Sequence, residues 1–446
     1  MNALPKGWVV VPINKITTKP EQKIPTDNEV FSYIDIGSVD RGTKTITEPQ
    51  KLLGKDAPSR ARQLVNLGDV LVSMTRPNLN AVALVPHSLD GQIASTGFDV
   101  LRAMEIEPRY LFASVRTKDF VDSMSELVQG ALYPAVRPRD IREYEIPLAP
   151  LAEQKRIADK LDMLLARIES THTKLDKIPE LLKRFRKSVF AAATSGALTE
   201  EWRGGGETGW DEITFGNICE SSFYGPRFGK DEYTSRADGI PTIRTTDMTD
   251  DGGIEISEGT PRIIVPADKL EKFAAKAGDL LVTRTGSIGV MALFDGSYVA
   301  VPSAYLIRFR FKKTILPRYA FYCLMAPDGQ SAMGLSTTAI TQPNINAESI
   351  KAISIGLPSI EEQREIVRRV ESLLAIADRI QKQHTVAKKK VGRLTPALLA
   401  KAFRGELVPQ NPSDEPADKL LQRLRSGKKE GKQPAAKRGR KAKAAL

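Results

Sequence analysis

Apolar residues recur at alternating steps of four and three in two long stretches of the chain. The first pattern runs from Ile157 to Val189, and the second from Ile366 to Leu398. A heptad pattern sustained over about four to five repeats predicts coiled-coil helices. The residues that we expect to form the seam are Ile157, Leu161, Leu164, Ile168, Leu182, Phe185, Ile366, Val370, Leu373, Ile380, Leu394 and Leu398.

A proline interrupts the first of these stretches. Pro179 has no backbone N–H, so inside a helix it removes a hydrogen bond and usually causes a kink. Because the heptad spacing continues in phase beyond it, we predict a kink there and not a domain boundary. Two amphipathic helices, each lying on its own globular core, are the alternative reading of the pattern.

The two stretches belong to a duplication that covers most of the chain. Glu153-Gln154 recurs as Glu362-Gln363, 209 positions later, and Pro108-Arg-Tyr110 recurs as Pro317-Arg-Tyr319 at the same offset. The preceding blocks share short apolar runs and turn signals, such as Gly68-Asp69 in the first block. Each copy is therefore predicted to be a globular block followed by one long helix.

The blocks are predicted to be mixed α/β. In the first block, residues 31–36 and 69–73 read as strands, whereas 108–115 and 119–128 read as helices. Gly196 suits a helix C-terminus, and the three glycines at 204–206 suit a flexible joint. The predicted boundaries are 1–147 for the first block, 148–200 for the first helix region, 201–356 for the second block, 357–408 for the second helix region and 409–446 for a basic, disordered tail.

This order predicts an α+β architecture with two long helices between two α/β blocks. If the helices form an antiparallel coiled coil, a pseudo-twofold axis relates the two halves and the blocks lie at opposite ends. From Ile157 to Val189 the helix rises about 50 Å, at roughly 1.5 Å per residue. That length would hold the blocks one or more DNA turns apart, a turn being about 34 Å.

The two blocks differ in their loops, although the segments around these loops are duplicated. Residues 76–80 read Arg-Pro-Asn-Leu-Asn in the first block, whereas 286–290 read Gly-Ser-Ile-Gly-Val in the second. Residues 132–136 and 341–345 are equally dissimilar. Such divergence is expected if each block reads a different target, although neutral drift would look the same.

Charge adds a partner class to this picture. The chain has 446 residues and a formal net charge of +12, and eight Lys or Arg follow Gly427 against a single acid, Glu430. A basic balance fits a polyanionic partner. We expect the tail to be disordered at least from Ser426, either as a solubilising segment or in transient contact with phosphates. Without an apolar run long enough to span a bilayer, the chain is read as cytoplasmic.

No catalytic or metal motif is found in the sequence. Cys219 and Cys323 stand alone and are read as core residues, and three histidines are too few for a typical zinc site. Residues 225–231 have the wrong glycine spacing for a phosphate-binding loop, and residues 286–289 read as a tight hairpin. The sequence therefore favours a protein that binds and does not catalyse.

Several ordered motifs resemble one known family. They are residues 146–154, 355–363 and 398–407, the opening Leu-Pro-Lys-Gly-Trp at 4–8 and the duplicated Gly-Asp pair. In this order and in duplicate they resemble the specificity subunit of type I restriction-modification systems. The resemblance covers about residues 1–408 and does not extend to the tail.

The resemblance implies a function for each part. Each block would be a target recognition domain that reads one half of a bipartite, asymmetric sequence in double-stranded DNA. The helices would carry two modification subunits, which bring S-adenosylmethionine and methylate adenine. Restriction subunits would supply ATP- and Mg²⁺-dependent translocation and cleavage, so this chain would be a non-catalytic subunit without a cofactor of its own.

Arg, Lys, Asn and Gln are the side chains that most often contact bases and phosphates. The DNA-binding residues predicted on this ground are Arg41, Lys44, Arg60, Arg62, Arg76, Asn78, Asn80, Arg227, Lys230, Arg236, Arg244, Arg284, Thr341, Gln342 and Asn344. Two rival hypotheses remain. The chain could be a coiled-coil scaffold that joins two protein-binding domains, or a nuclease without a recognisable motif.

Overall fold

The computed structural model describes residues 4–130, 132–236, 238–249, 251–285, 288–334 and 345–430. The chain divides into two compact units. The first combines residues 1–175 with those from 386 onward, and the second comprises residues 176–385. Each unit therefore contains one block and parts of both long helical stretches.

The described residues form α-helices and β-strands throughout both units. The helices are α1 Pro108–Ser114, α2 Lys118–Glu126, α3 Pro138–Glu143, α4 Leu151–Asp176, α5 Ile178–Thr194, α6 Phe215–Ile218, α7 Ala267–Phe273, α8 Pro317–Met325, α9 Pro327–Ala332, α10 Ala347–Lys351, α11 Ile360–Gly392, α12 Leu394–Phe403 and α13 Ala417–Glu430. The strands are β1 Val9–Pro12, β2 Thr17–Thr18, β3 Val30–Ile34, β4 Val39–Asp40, β5 Thr45–Ile46, β6 Gln50–Leu53, β7 Ala61–Leu64, β8 Val70–Ser73, β9 Val82–Leu84, β10 Ile93–Ser95, β11 Phe98–Ala103, β12 Glu145–Leu148, β13 Asp211–Thr214, β14 Cys219–Tyr224, β15 Tyr233–Thr234, β16 Ile240–Ile243, β17 Arg262–Ile263, β18 Leu280–Thr283, β19 Met291–Leu293, β20 Val301–Pro302, β21 Leu306–Phe311 and β22 Ser354–Leu357. The strands predicted at 31–36 and 69–73 and the helices predicted at 108–115 and 119–128 are confirmed as β3, β8, α1 and α2.

The two blocks share their sheet plan except for the edge strands β7 and β15, which lie on opposite edges. The first has four-stranded sheets in the orders β6-β3-β10-β7 and β2-β11-β8-β9, and the second has β15-β17-β16-β20 and β14-β21-β18-β19. A parallel pair occurs at the same place in each, β3 with β10 and β16 with β20. A two-stranded antiparallel ladder, β1 with β12 or β13 with β22, leads from each block into the long helix that follows.

The duplicated Gly-Asp pair supports a tight turn before the central strand of each block. Gly68 and Gly278 have φ values of +81° and +83°, a region that glycine adopts without steric cost. Asp69 accepts hydrogen bonds from Arg102 on the neighbouring strand, with a shortest distance of 2.8 Å. Asp279 accepts in the same way from Arg310 at 2.6 Å. These residues recur because they hold the sheet.

A duplicated glutamine fastens each block to its helix. The side chain of Gln154 accepts from the backbone N–H of Glu107 at 3.0 Å and donates to the carbonyl of Ala149 at 2.8 Å. Gln363 accepts from the N–H of Leu316 at 2.8 Å and donates to the carbonyl of Pro358 at 2.9 Å. Because both amides are fully buried, losing either would leave backbone groups unpaired.

In the first unit, α4 packs antiparallel to α12. Ile157 and Leu161, near the start of α4, share a core with Leu399 and Phe403, near the end of α12. Further along α4, a cavity of about 300 Å³ opens beside α12. The residues that line it are Leu164, Arg167, Ile168, Thr171, Val391, Leu394 and Leu398.

In the second unit, α5 packs antiparallel to α11. Arg186 forms an ion pair of 2.6 Å with Asp378. Twelve residues later, the Leu198 carbonyl accepts from Arg369 at 3.0 Å, and Thr199 donates to Glu362 at 2.8 Å. Residues later in the segment 186–199 therefore contact residues earlier in α11, as expected for antiparallel packing. The antiparallel helix pairing expected from the heptads is present within each unit.

Several predicted seam residues are not buried in the structure. Phe185, Ile380 and Leu394 are 38%, 39% and 45% exposed. The first helix stops at Asp176 and restarts at Ile178, since Pro179 cannot continue the backbone hydrogen bonds. After this restart Leu182 and Val189 are still buried at heptad positions, and Phe190 and Ala193 are buried beside them. Alpha11 buries Val370, Ala377 and His384, and a second interruption, at Arg393, precedes Leu394.

The interruption expected near Pro179 is confirmed, since α4 ends at Asp176 and α5 begins at Ile178, but the expectation that no boundary falls there was wrong. The division between the compact units falls between Leu175 and Asp176, directly before the interruption. The heptad spacing gave no sign of it, because an apolar row keeps its sequence period even where the helix beneath it restarts.

The prediction of a disordered tail from 409 was wrong for the part that the structure describes. Residues Ala417–Glu430 form α13, and Leu420, Leu421 and Leu424 are buried in the core of the first unit. The Ala417 N–H donates to the Gly7 carbonyl at 2.9 Å, and Asp414 pairs with Arg156 at 2.6 Å. This helix was missed although its apolar spacing is that of an amphipathic helix.

Within the described residues, no helix is both long enough and apolar enough to cross a bilayer. The same residues contain no group of three or more His, Cys, Asp or Glu side chains arranged to hold a metal ion.

Candidate nucleic-acid interface

A strained turn follows β8 in the first unit. Arg76 and Asn80 flank the 3-10 turn Pro77–Leu79 and have φ values of 49° and 44°. Side chains other than glycine rarely adopt this left-handed region, and such residues collect where function requires a fixed loop. Arg76 and Asn78 point into solvent from this turn.

Lys44 approaches the turn from a separate hairpin. Its Nζ donates to the Asn80 carbonyl at 2.5 Å, and its own φ is +60°. The Asn80 amide in turn donates to the Val115 carbonyl at 2.9 Å. The described non-glycine residues with positive φ are Lys44, Arg76, Asn80 and Glu105. The first three of them meet at this turn.

Positive charge is concentrated around this turn. Burial, together with the charge of Arg116, lowers the pKa of Lys44 to about 8, and Arg41 acts in the same direction. Burial also lowers the pKa of the Arg116 guanidinium, which lies 4.8 Å from the centroid of the Phe112 ring. The Arg116 Nε has no hydrogen-bond partner within the described structure. A half-buried amine whose pKa is lowered by neighbouring cations favours an anionic ligand, because an anion stabilises its charged form.

The equivalent position in the second unit has a different chemistry. Arg284 follows β18, and its guanidinium carbon lies 5.1 Å from the centroid of the Tyr224 ring. Its backbone N–H donates to the carbonyl of Tyr305, whose side chain is 63% exposed. The Tyr224 hydroxyl accepts from the Ala347 N–H at 2.9 Å, which holds the ring in place. The second block thus presents an arginine and two tyrosines where the first presents a cluster of cations.

Comparison with known proteins shows which family the chain belongs to. The model of the type I restriction modification DNA specificity domain matches the chain twice, over residues 5–180 and 207–387. The chain belongs to this family. Each match covers one block and the first part of the helical region that follows it, so the chain contains two specificity domains. The resemblance read from the sequence motifs is confirmed.

Full-length relatives agree with the domain match. The type I restriction enzyme EcoKI specificity subunit of Escherichia coli strain K12 is 31% identical over 445 residues, covering 93% of this chain and 92% of the relative. The StySPI specificity subunit of Salmonella potsdam is 31% identical over 440 residues, with the same coverage.

Solved structures agree as well. The HsdS subunit from Thermoanaerobacter tengcongensis has a TM-score of 0.65 and 28% identity, over 90% of this chain and 98% of that one. A chain from a structural study of complex assembly and conformational transition of the type I R-M system has a TM-score of 0.71 and 27% identity, over 91% of this chain and 100% of that one.

The structure brings only some of the predicted residues together in the first specificity domain. Lys44, Arg76 and Asn80 meet at the strained turn, with Asn78 at its tip. The Asn80 amide nitrogen already bonds Val115, so this residue positions the turn. Arg41, Arg60 and Arg62 lie on neighbouring segments. Arg41 is exposed beside the Lys44 hairpin, the Arg60 carbonyl bonds Thr96, and Arg62 Nε donates to the Ser59 carbonyl.

The predicted residues of the second specificity domain are more scattered. Arg244 is held by Asp247 at 3.1 Å, and Arg236 pairs with Asp238 at 2.6 Å, so both cations have an internal partner. Arg227 and Lys230 are exposed. The predicted contacts Thr341, Gln342 and Asn344 lie outside the described residues, as does part of the predicted hairpin at 286–289.

Sequence reasoning missed Arg116, Tyr224 and Tyr305. Nothing local distinguishes these residues. Arg116 lies between α1 and α2, next to Val115, whose carbonyl accepts from Asn80 of the turn, whereas Tyr224 and Tyr305 reach Arg284 through the pairing of distant strands. An exposed aromatic side chain beside an arginine is a useful signal, but exposure cannot be read from one sequence.

The two cysteines and the glycine-rich segment 225–231 have structural explanations. Burial raises the pKa of Cys219 to about 11 and that of Cys323 to about 12, so both thiols stay protonated. A Cβ on Gly225 would lie 2.0 Å from the Ser303 carbonyl oxygen, so this glycine permits a close approach of two backbones.

Proposed function

We propose that this chain is the specificity subunit of a type I restriction-modification complex, and that each specificity domain reads one half of a bipartite, asymmetric DNA target. The observation that carries the proposal is the contrast between the two domains. Nearly the same sheet plan occurs twice, yet the turn after β8 presents Arg76 and Asn78, whereas the segment after β18 presents Arg284 against Tyr224. A shared frame with different exposed chemistry suits two different DNA sequences.

In this proposal the chain binds DNA and its partners carry out the chemistry. Two modification subunits would bring S-adenosylmethionine and methylate adenine, and restriction subunits would use ATP and Mg²⁺ to translocate and cleave DNA. We place this activity in the cytoplasm. The family membership of the chain supports its role as a specificity subunit, as do the names of its relatives, which are specificity subunits. The cofactors of the partner subunits and the location are part of the proposal.

A domain exchange tests the division of labour. Residues 207–356 are replaced by the corresponding block of a relative, and methylated adenines are mapped in cells that supply the modification subunit. We expect one half-site to change and the other to remain, because each block has its own core. A change in both half-sites would refute the assignment of one domain to one half-site.

Salt dependence tests the cation cluster. Each Lys or Arg that contacts a phosphate contributes about 0.9 to the slope of log affinity against log salt. We expect Lys44→Ala with Arg76→Ala to lower the slope by one to two such contributions in the assembled complex. Arg62→Ala is the matched control, because Arg62 lies on β7, outside the turn, and its guanidinium donates to Ser59. An unchanged slope in the double variant would remove the cluster from the interface.

A further inference from the structure

Two large apolar side chains stand out from the first specificity domain. Leu132 and Tyr133 are each 87% exposed, more than any other large hydrophobic residue that the structure describes. The next is Val30 at 69%. A single exposed apolar residue is ordinary, but two adjacent ones at this exposure mark a surface that a partner is expected to cover. We refer to Leu132 and Tyr133 as the apolar tip.

The tip is fastened to the strained turn. Thr75 and Ala135 form an antiparallel bridge, the Arg76 N–H donates to the Pro134 carbonyl at 2.8 Å, and the Val136 N–H donates to the Met74 carbonyl at 2.9 Å. Val136 itself is buried in the core of the unit. The backbone that carries the tip is therefore paired residue by residue with the segment that ends in Arg76.

The surroundings of the tip are cationic. Arg76 is exposed next to it, and Lys44 reaches the same turn through its bond to Asn80. Arg116 lies close enough to Lys44 to lower the pKa of its amine. An apolar protein partner would gain little from these charges, whereas a polyanion gains from all of them. Charge complementarity thus selects duplex DNA as the occupant.

We propose that Leu132 and Tyr133 make apolar contacts with bases in the half-site read by the first specificity domain, an inference that rests on the proposed function. Two kinds of contact share this chemistry. The tip packs on a thymine methyl group in the major groove, or it wedges into a base step and unstacks it. Either contact would add sequence preference to a surface whose cations act mainly on phosphates.

The test compares Leu132→Ser with Tyr133→Ser, combined in one chain, against a matched control of Leu127→Ser with Val30→Ser. The control residues are also exposed apolar side chains of the same unit, at 60% and 69%. Each chain is assembled with its modification subunits and bound to a duplex that carries the mapped target. A second duplex has the first half-site scrambled, and a third has the second half-site scrambled.

We expect the tip variant to bind the target about 10- to 100-fold more weakly, since losing the recognition of one base pair in a duplex site costs roughly 1–3 kcal/mol. Its affinity for the duplex scrambled in the first half-site should match that of the wild type. The control variant should bind all three duplexes as the wild type does. Equal binding of the target by the tip variant and the wild type would overturn the proposal.

Two base probes separate the kinds of contact. Replacing each thymine of the first half-site with deoxyuridine removes its methyl group, and a methyl contact predicts a loss for the wild type only. A 2-aminopurine in the same half-site brightens when its step is unstacked, and a wedge predicts brightening with the wild type only. If neither probe distinguishes the two proteins, the tip does not touch bases.

The remaining outcomes are also decisive. If the tip variant fails to assemble with modification subunits while the control assembles, the tip docks a protein and the inference is wrong. If the wild type binds the target and both scrambled duplexes equally, the proposed function itself fails, whatever the tip does.

Discussion

A tryptophan indole and a glutamate on a long helix meet in both units, but their surroundings differ. In the first unit Trp8 donates to Glu153 at 3.0 Å, and the amide of Gln410 donates to the same carboxylate at 3.2 Å. In the second, Trp210 donates to Glu362 at 2.9 Å, and Arg203 forms an ion pair with it. The carboxylate of Glu153 is therefore contacted by a neutral amide, whereas that of Glu362 is contacted by a guanidinium.

The residues that contact the buried glutamate come from equivalent segments in the two copies. Arg203 and Thr199 lie in the segment that follows the first long helical stretch, and Gln410 lies in the segment that follows the second. The comparison shows that duplication preserved the carboxylate and its indole partner while the covering segments diverged. Because a buried charge must be compensated, the consequences for stability should differ between the units.

The largest expected effect separates the two glutamates. Glu362→Gln leaves the buried guanidinium of Arg203 without its carboxylate, so we expect the second unit to lose about 3–5 kcal/mol of unfolding free energy. Glu153→Gln keeps an oxygen for Trp8 and strands no cation, so the first unit should change by less than about 1 kcal/mol. Hydrogen exchange of the full chain, resolved by peptide, measures both. Equal losses would show that the covering segments are interchangeable.

An intermediate effect is expected at α13, which the first unit has as an additional cover. Leu420 is 1% exposed, and Leu420→Ala should destabilise that unit by about 2–5 kcal/mol through lost packing. Gln422→Ala, on the exposed side of the same helix, is the matched control. Exchange should increase in peptides of the first unit and remain unchanged in residues 176–385. If the two variants behave alike, α13 does not contribute to the core.

The smallest effect is a pH dependence at Glu153. Burial raises the pKa of Glu153 above its ordinary value of 4.5, against the hydrogen bond from Trp8, which lowers it. The folded state then binds more protons than the unfolded state, so the stability of the first unit falls as pH rises from 4.5 through the raised pKa. Glu153→Gln should flatten this part of the profile.

The background slope must be subtracted in that measurement. Burial raises the pKa of Asp99 to about 6 in the same unit, against the influence of Arg142, so the wild type and the variant share a slope of the same sign. The difference between their unfolding midpoints at pH 5 and pH 7 isolates Glu153. A difference that does not change with pH would contradict the assignment.

Much of the frame could be predicted from the sequence, because repeated residues report repeated contacts. Gln154 and Gln363 recur since each completes hydrogen bonds to a loop of its own block, and Tyr110 and Tyr319 recur since each hydroxyl donates to a strand carbonyl at 2.7 Å. Helix α13 was within reach too. Ala417, Leu420, Leu421 and Leu424 have helical spacing, whereas the basic composition that follows favours a disordered tail.

The sequence by itself determined the duplication, the two heptad stretches and the division into blocks, because these are periodic or repeated signals that a local reading detects. Only the tertiary structure decided which seam residues are buried. It left Phe185 and Ile380 exposed although both fall on heptad positions and Ile380 lies within the uninterrupted α11, because burial depends on what packs against each part of a helix.

The candidate site was likewise decided by tertiary structure. Lys44, Asn80, Val115 and Pro134 come from four separate segments, and their hydrogen bonds bring the cations and the apolar tip to one turn. A sequence shows which side chains could bind DNA. Contacts between distant segments decide which of these side chains lie exposed next to one another. No local sequence pattern encodes those contacts.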